Sequence, residues 1–234
     1  MKKMWAIPDA GSVHGEKEQK INLSEDKKQK EEIEVKFCLT KETKVFAGIS
    51  LYRIQAKKDF SNVKKGDFGG WVEKEENLDH SGNAWIYDEA QVFNNGRISG
   101  NGRALDEARI FDEARIFGNG RAFNKAQAFN NARIFGDARI FDEAQIFGRA
   151  QIFGDTWVSG KARVKKSPLL IQGTKHIFTM VNGRIRIGCE EHSIEHWMEN
   201  FQEIGEKNKY TENEINEYHD YIILAKKQSD EKII

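Results

Sequence analysis

The chain is predicted to be an all-β solenoid, and three observations carry that prediction. A six-residue unit repeats without a slip from Ala84 to Lys166, fourteen times over. Its first position is small, from Ala84 and Ala90 through Gly96 and Gly102 to Ala162, and its third is aliphatic or alanine, from Ile86 to Val164. Its fifth is Asp, Asn or Gly in thirteen of the fourteen units, from Asp88 to Gly160. Six is not a helical period. Small-x-apolar alternation instead puts two side chains on one face of a short strand. Asp, Asn and Gly bend backbone cheaply, by accepting positive φ or by bonding to their own main chain. A strand and a corner, repeated, wind into a coil with flat sides, and successive turns pair as parallel strands about 4.8 Å apart.

Composition agrees with an economical core. The chain has 234 residues, enough for one good-sized domain with appendages, and its apolar fraction is 38%, below the roughly 45–50% of an average domain. Lys+Arg and Asp+Glu are both 37, which argues against a coat for long nucleic acid or a basic membrane binder. Cys38 and Cys189 are the only cysteines, so no disulfide framework is expected and a cytoplasmic location is. No apolar run reaches the roughly 18–20 residues of a membrane span, and no signal-peptide core is found.

The consensus unit ARIFGD (Ala132–Asp137), the preceding LYRIQAKKDF…VKKGDFGGWVEKEENL (Leu51–Leu78) and the following IGCEEHSIEHW (Ile187–Trp197) resemble the hexapeptide-repeat, left-handed parallel β-helix family. They are closest to its prophage and enteric subgroup of putative transferases and polymer-forming proteins. The resemblance covers about residues 37–227 and implies triangular coils, a left-handed winding and a homo-oligomer, with a trimer favoured. The phage flavour implies a bacterial host cytoplasm. The usual family unit puts Gly, Ala, Glu or Asp directly after the buried aliphatic; here Phe fills that place and the turn residue follows it.

The ends divide as follows. Residues 1–36 read as a charged, solvated arm, since 15–36 alone carry six lysines and seven acids. Residues 37–83 are expected to be an N-terminal β cap, because an open coil end exposes unpaired backbone and apolar rungs. Residues 84–166 are the β-helix, which Pro168 closes. Residues 167–234 read as a small C-terminal β segment with a turn at Asn182-Gly183, then two amphipathic helices. Ser193 is the expected cap of the first helix, and Thr211-Glu212-Asn213-Glu214 is a capping box for the second.

Residues between the two inward columns face outward. The second position holds eight Arg, four Gln and two Trp, and no acid; the fourth holds nine of the fifteen Phe. Division by three assigns faces. One carries Trp85, Arg103, Arg121, Arg139 and Trp157, beside Phe123 and Phe141. Another carries Gln91, Arg109, Gln127, Gln145 and Arg163, beside Phe93, Phe111, Phe129 and Phe147. The third carries Arg97, Arg115, Arg133 and Gln151, beside Phe117, Phe135 and Phe153. Stacked guanidiniums repel, by up to about 1 kcal/mol per pair in water. Corner acids (Asp106, Asp112, Asp142) and aromatic rings are expected to compensate locally, or else an anionic ligand is. The ligand-binding candidates are Trp85, Arg103, Arg121, Arg139, Trp157, Phe123, Phe141, Arg97, Arg115 and Arg133. Exposed Phe columns would form apolar patches, so burial of at least one in an oligomer is expected.

Catalytic chemistry is sparse. None of the six histidines lies within the fourteen units, and His80, just before them, is the only one near a coil face. Cys189 and His192 lack an orienting group, and His192 with His196 would need a third metal ligand, for which Glu195 is a weak candidate. No catalytic residue, cofactor or metal is therefore assigned. These features point to a non-catalytic oligomeric protein that holds an anionic, nucleotide-like small molecule on Arg/aromatic ladders, in one form a phage-encoded sequestering protein. An acyl-CoA-dependent hexapeptide acyltransferase is the alternative, and a structural self-assembly protein the second alternative.

Overall fold

A computed structural model describes residues 35–230 of the chain. The charged arm expected over 1–36 lies outside the described residues, apart from Val35 and Lys36.

Corner chemistry sets the winding. Every corner residue from Asp88 to Gly160 sits in the left-handed region, with φ between 50° and 68°. Only Gly, Asn and Asp occupy that region at low cost, which explains the restricted fifth column. One corner is glycine throughout: Gly82, Gly100, Gly118, Gly136 and Gly154. A β-carbon on Gly82 would lie 2.5 Å from the Gly100 carbonyl oxygen, and one on Gly136 would lie 2.9 Å from the Gly154 nitrogen. The other two corners carry side chains and use them. Asp106 accepts from the Asn124 amide at 2.8 Å, Asn124 donates to Asp142 at 3.2 Å, and Asp142 accepts from the Gly160 amide at 2.9 Å. Asp112 likewise accepts from Asn94 and from the Asn130 amide. These aspartates hold the coil corners together and do not pair with the arginines, contrary to the compensation expected of them.

Between corners, two-residue strands pair in parallel with the residues 18 positions away. Arg103, Arg121 and Arg139 stand in register, as do Arg97 with Arg115 and Arg133, and Arg109 with Gln127 and Gln145. Three parallel sheets result, so the protein is a three-sided β-solenoid. Inside, small and aliphatic columns alternate, and Ala84, Ile86, Ala108, Ile110, Ala132 and Ile134 are all fully buried. The core of a low-hydropathy chain is thus a column of alanine against a column of isoleucine, packed coil on coil.

The Phe columns follow the same register. Phe93, Phe111, Phe129 and Phe147 stack at 5.1–5.3 Å with nearly parallel planes; Phe117, Phe135 and Phe153 do so at 4.9–5.5 Å. The coil spacing matches the ring spacing, so each ring covers its neighbour's face. Phe93 is buried and the remaining ladder rings are half-buried, which leaves less apolar surface open than the sequence implied.

At the start, Phe37–Phe46 and Ile49–Ala56 form an antiparallel hairpin. Phe68–Val72 pairs antiparallel to that hairpin on one side and parallel to Gln91–Val92 on the other, converting the cap into the first rung. Lys36 belongs to this cap and not to a solvated arm. It is fully buried, and its ammonium donates to the carbonyls of Ala84 (2.9 Å) and Ser81 (3.4 Å). At the far end, Leu169–Gln172, Ile177–Val181, Arg184–Ile187 and Glu190–Ser193 make a four-stranded antiparallel sheet. Its tight turn is at Asn182 and Gly183, both at positive φ. Helices α1 (Ile194–Lys207) and α2 (Glu212–Asp230) follow. Ser193 caps α1 through the His196 amide, and Thr211 and Glu214 form the reciprocal box that opens α2. One face of the sheet buries Phe178, Met180, Ile185 and Ile187 under the helices, while Val181, on the other, packs onto the solenoid core. None of the described helices is long and apolar enough to cross a membrane.

Candidate functional site

The outward columns of the sequence are real columns, but their members have different fates. Trp85 is a correction. It is 1% exposed, edge-on to Phe37 and Phe60, and unavailable to a ligand. Arg103, next in register, donates to Ser61 and lies 6.0 Å from the Tyr87 ring centroid. Phe123 and Phe141 stack at 5.3 Å, and Phe141 meets Trp157 edge-on. Arg139 lies over Trp157 at 5.2 Å. On the third face, Arg97 pairs with Asp79 at 3.1 Å. Arg115 and Arg133 are exposed and line a shallow groove with Phe117. Among the described residues, no ion pair engages Arg115, Arg121 or Arg133. Four of the column's eight arginines lie against aromatic rings: Arg103 and Arg139 as above, Arg109 over Phe46 and Arg163 over Phe147.

A cationic groove backed by a tryptophan lies between the last coil and the C-terminal sheet. It has a volume of about 290 Å³ and is lined by Trp157, Ser159, Thr179, Arg184, Arg186 and Glu191, among others. Strand alternation explains the lining. Within Arg184–Ile187, the isoleucines turn to the helices and both arginines turn to the solenoid. The Arg186 guanidinium sits 3.8 Å from the Trp157 ring centroid. Glu191 is the nearby carboxylate, and Arg184 holds it through Nε at 2.8 Å. Arg186 Nη1 is buried without a hydrogen-bond partner. Trp157 and Arg139 were candidates from the sequence; Arg184 and Arg186 were missed. The signal for them was present, since RIRI alternates with period two and the arginines had to share a face.

The histidines separate by wiring. His80 stacks on Phe37 at 4.3 Å, and its Nδ1 accepts from the Lys36 amide at 3.3 Å. A neutral imidazole that accepts at Nδ1 carries its proton on Nε2, so His80 is arranged as a donor and not as a base. His192 has the opposite arrangement. Its Nε2 lies 3.2 Å from Glu190 Oε2, and Glu190 also accepts from Asn208 at 3.3 Å. These hydrogen bonds, Asn208 first and then His192, hold the Glu190 carboxyl below its usual range. An Nε2 proton given to Glu190 leaves the Nδ1 lone pair of His192 available as a base. The sequence placed Cys189 beside His192 and found nothing to orient the ring. The orienting group is Glu190, two residues away on the same strand face. This pair lies on the helix side of the sheet, away from the cationic groove. Among the described residues, no group of three or more His, Cys, Asp or Glu side chains is placed to hold a metal ion.

No family model matches the chain. It is similar to an Escherichia coli (strain K12) protein named uncharacterized acetyltransferase YdcK, with 32% identity over 71 residues. The match covers 27% of this chain and 22% of that protein, so it spans well under two thirds of the relative. Together with the solenoid, it fits a hexapeptide-repeat transferase family. It overturns the expectation of a non-catalytic protein that sequesters nucleotide-like ligands. The similarity is to an acetyltransferase, which favours the acyl-CoA alternative, and nothing in it supports a phage origin.

Proposed function

We propose that the chain is an acyl-CoA-dependent acyltransferase built on a three-sided solenoid. The observation that carries the reading is the 71-residue similarity to a protein named as an acetyltransferase, in a chain that folds as a hexapeptide-repeat solenoid. Placement in the prophage and enteric subgroup rests on the ARIFGD-type unit with the leader and post-coil segments.

Acyl transfer from a thioester asks a protein to bind the donor, to hold the acceptor in line, and to take a proton from it. Binding and alignment can supply most of the rate, while a positioned base typically adds 10²–10⁴-fold. Cationic aromatic columns suit the first task, because CoA carries several phosphate charges. His80 does not suit the last, since its wiring makes it a donor.

The test is acceptor-dependent release of CoA thiol from acetyl-CoA, across a panel of amine and hydroxyl acceptors. Turnover with at least one acceptor is expected, and His80→Ala is expected to retain it. Absence of both acetyl-CoA binding and thiol release would remove the reading. Loss of turnover in a folded His80→Ala would show that the wiring argument is wrong.

A further inference from the structure

We infer that the groove between the last coil and the C-terminal sheet holds the phosphate-bearing end of acyl-CoA; this rests on the acyltransferase reading. The starting point is an unpaid cost. Arg186 Nη1 is buried with no partner, and leaving a buried donor unmade costs about 1–3 kcal/mol, more on a charged group. The local carboxylate does not relieve it, because Glu191 is taken by Arg184. An anion seated in the groove would.

The geometry favours phosphate. Trp157 holds Arg186 at 3.8 Å and Arg139 at 5.2 Å. A guanidinium held by its face keeps its N–H edge free for two parallel bonds to phosphate oxygens. The volume of about 290 Å³ accommodates phosphate groups and not a whole CoA, so the pantetheine arm must leave along the solenoid wall. Rival grooves fit less well. On the third face, Asp79 neutralises Arg97, and Arg115 and Arg133 are exposed, with no buried unpartnered donor among the described residues to satisfy. The groove of Arg109 and Arg163 also holds Lys125, Lys161 and a buried, unpartnered Arg109 Nε, but Glu107 and Glu143 line it and, among the described residues, no aromatic side chain does.

The test is calorimetric titration of the full chain with CoA, pantetheine and inorganic pyrophosphate. Losing charge-assisted bonds at Arg186 is expected to weaken CoA binding roughly tenfold or more in Arg186→Met. Trp157→Ala should follow it, Arg186→Lys should fall between, and pantetheine should be unaffected. If Arg186→Met does not fold, Arg184→Gln, at the groove's other lining arginine, carries the same test. CoA affinity within about twofold of wild type in a folded variant overturns the groove assignment and leaves the acyltransferase reading standing. Pyrophosphate binding as tightly as CoA overturns it too, by making the groove a general anion patch. A wild type that binds no CoA overturns both.

Discussion

Lys36 offers a prediction whose sign and size both come from the structure. Its ammonium is fully buried at the mouth of the first coil, where it donates to the carbonyls of Ala84 and Ser81. Burial pushes the amine from 10.5 down to about 8; Asp79 opposes the shift and Lys58 adds to it. The folded value lies below the unfolded one, so between about pH 8 and 10.5 the unfolded chain binds more protons. Stability from this group therefore rises with pH across that window, and below it the folded state carries the full cost of a buried charge. A shift of this size corresponds to roughly 3 kcal/mol in total. About 2 kcal/mol of it falls between about pH 7.5 and 10. The perturbation is Lys36→Met, which removes the titration. The assay is urea unfolding of both proteins at the two pH values, read as the difference between them, so that other titrating groups cancel. Wild type should gain about 2 kcal/mol on the variant as pH rises. A difference that stays flat, or that moves the other way, would refute the argument that this amine is buried at a desolvation cost.

Two further outcomes follow from the coils. In Gly136→Ala, the new β-carbon would sit at φ 65° and 2.9 Å from the Gly154 nitrogen. It should cost about 1–3 kcal/mol in urea unfolding, and a loss under about 0.5 kcal/mol would show that the glycine corner is not tight. We also propose that the chain assembles as a homotrimer through its half-buried Phe columns. Wild type should sediment as a trimer, and Phe135→Arg, in the middle of a three-ring column, should release monomers; a monomeric wild type would remove the assembly.

Much of the architecture was legible because the repeat imposes it. A corner in the left-handed region every six residues leaves few ways to wind, so Arg103, Arg121 and Arg139 had to fall in register once the coil had three sides. The C-terminal caps were also legible, because Ser193 and Thr211 bond to amides within a few residues. The site was far less so. Trp85 occupies an outward position of its unit, yet Phe37 and Phe60 of the cap cover it. Asp106 and Asp142 looked like partners for arginine, but the corner amides of Asn124 and Gly160 engage them. The sequence reading paired His192 with Cys189 and passed over Glu190, because only a strand makes the i, i+2 spacing of Glu190 and His192 a shared face.

From the sequence by itself came the period, the identity of the inward columns and the register of the outward ones. These depend on local backbone cost and on spacing, which a single chain displays directly. The tertiary structure decided which outward side chains remain open, and that Arg186 meets Trp157 across the junction of solenoid and sheet. Those facts depend on how separate elements dock. Docking is set by the summed packing of whole faces, and no repeat unit encodes it.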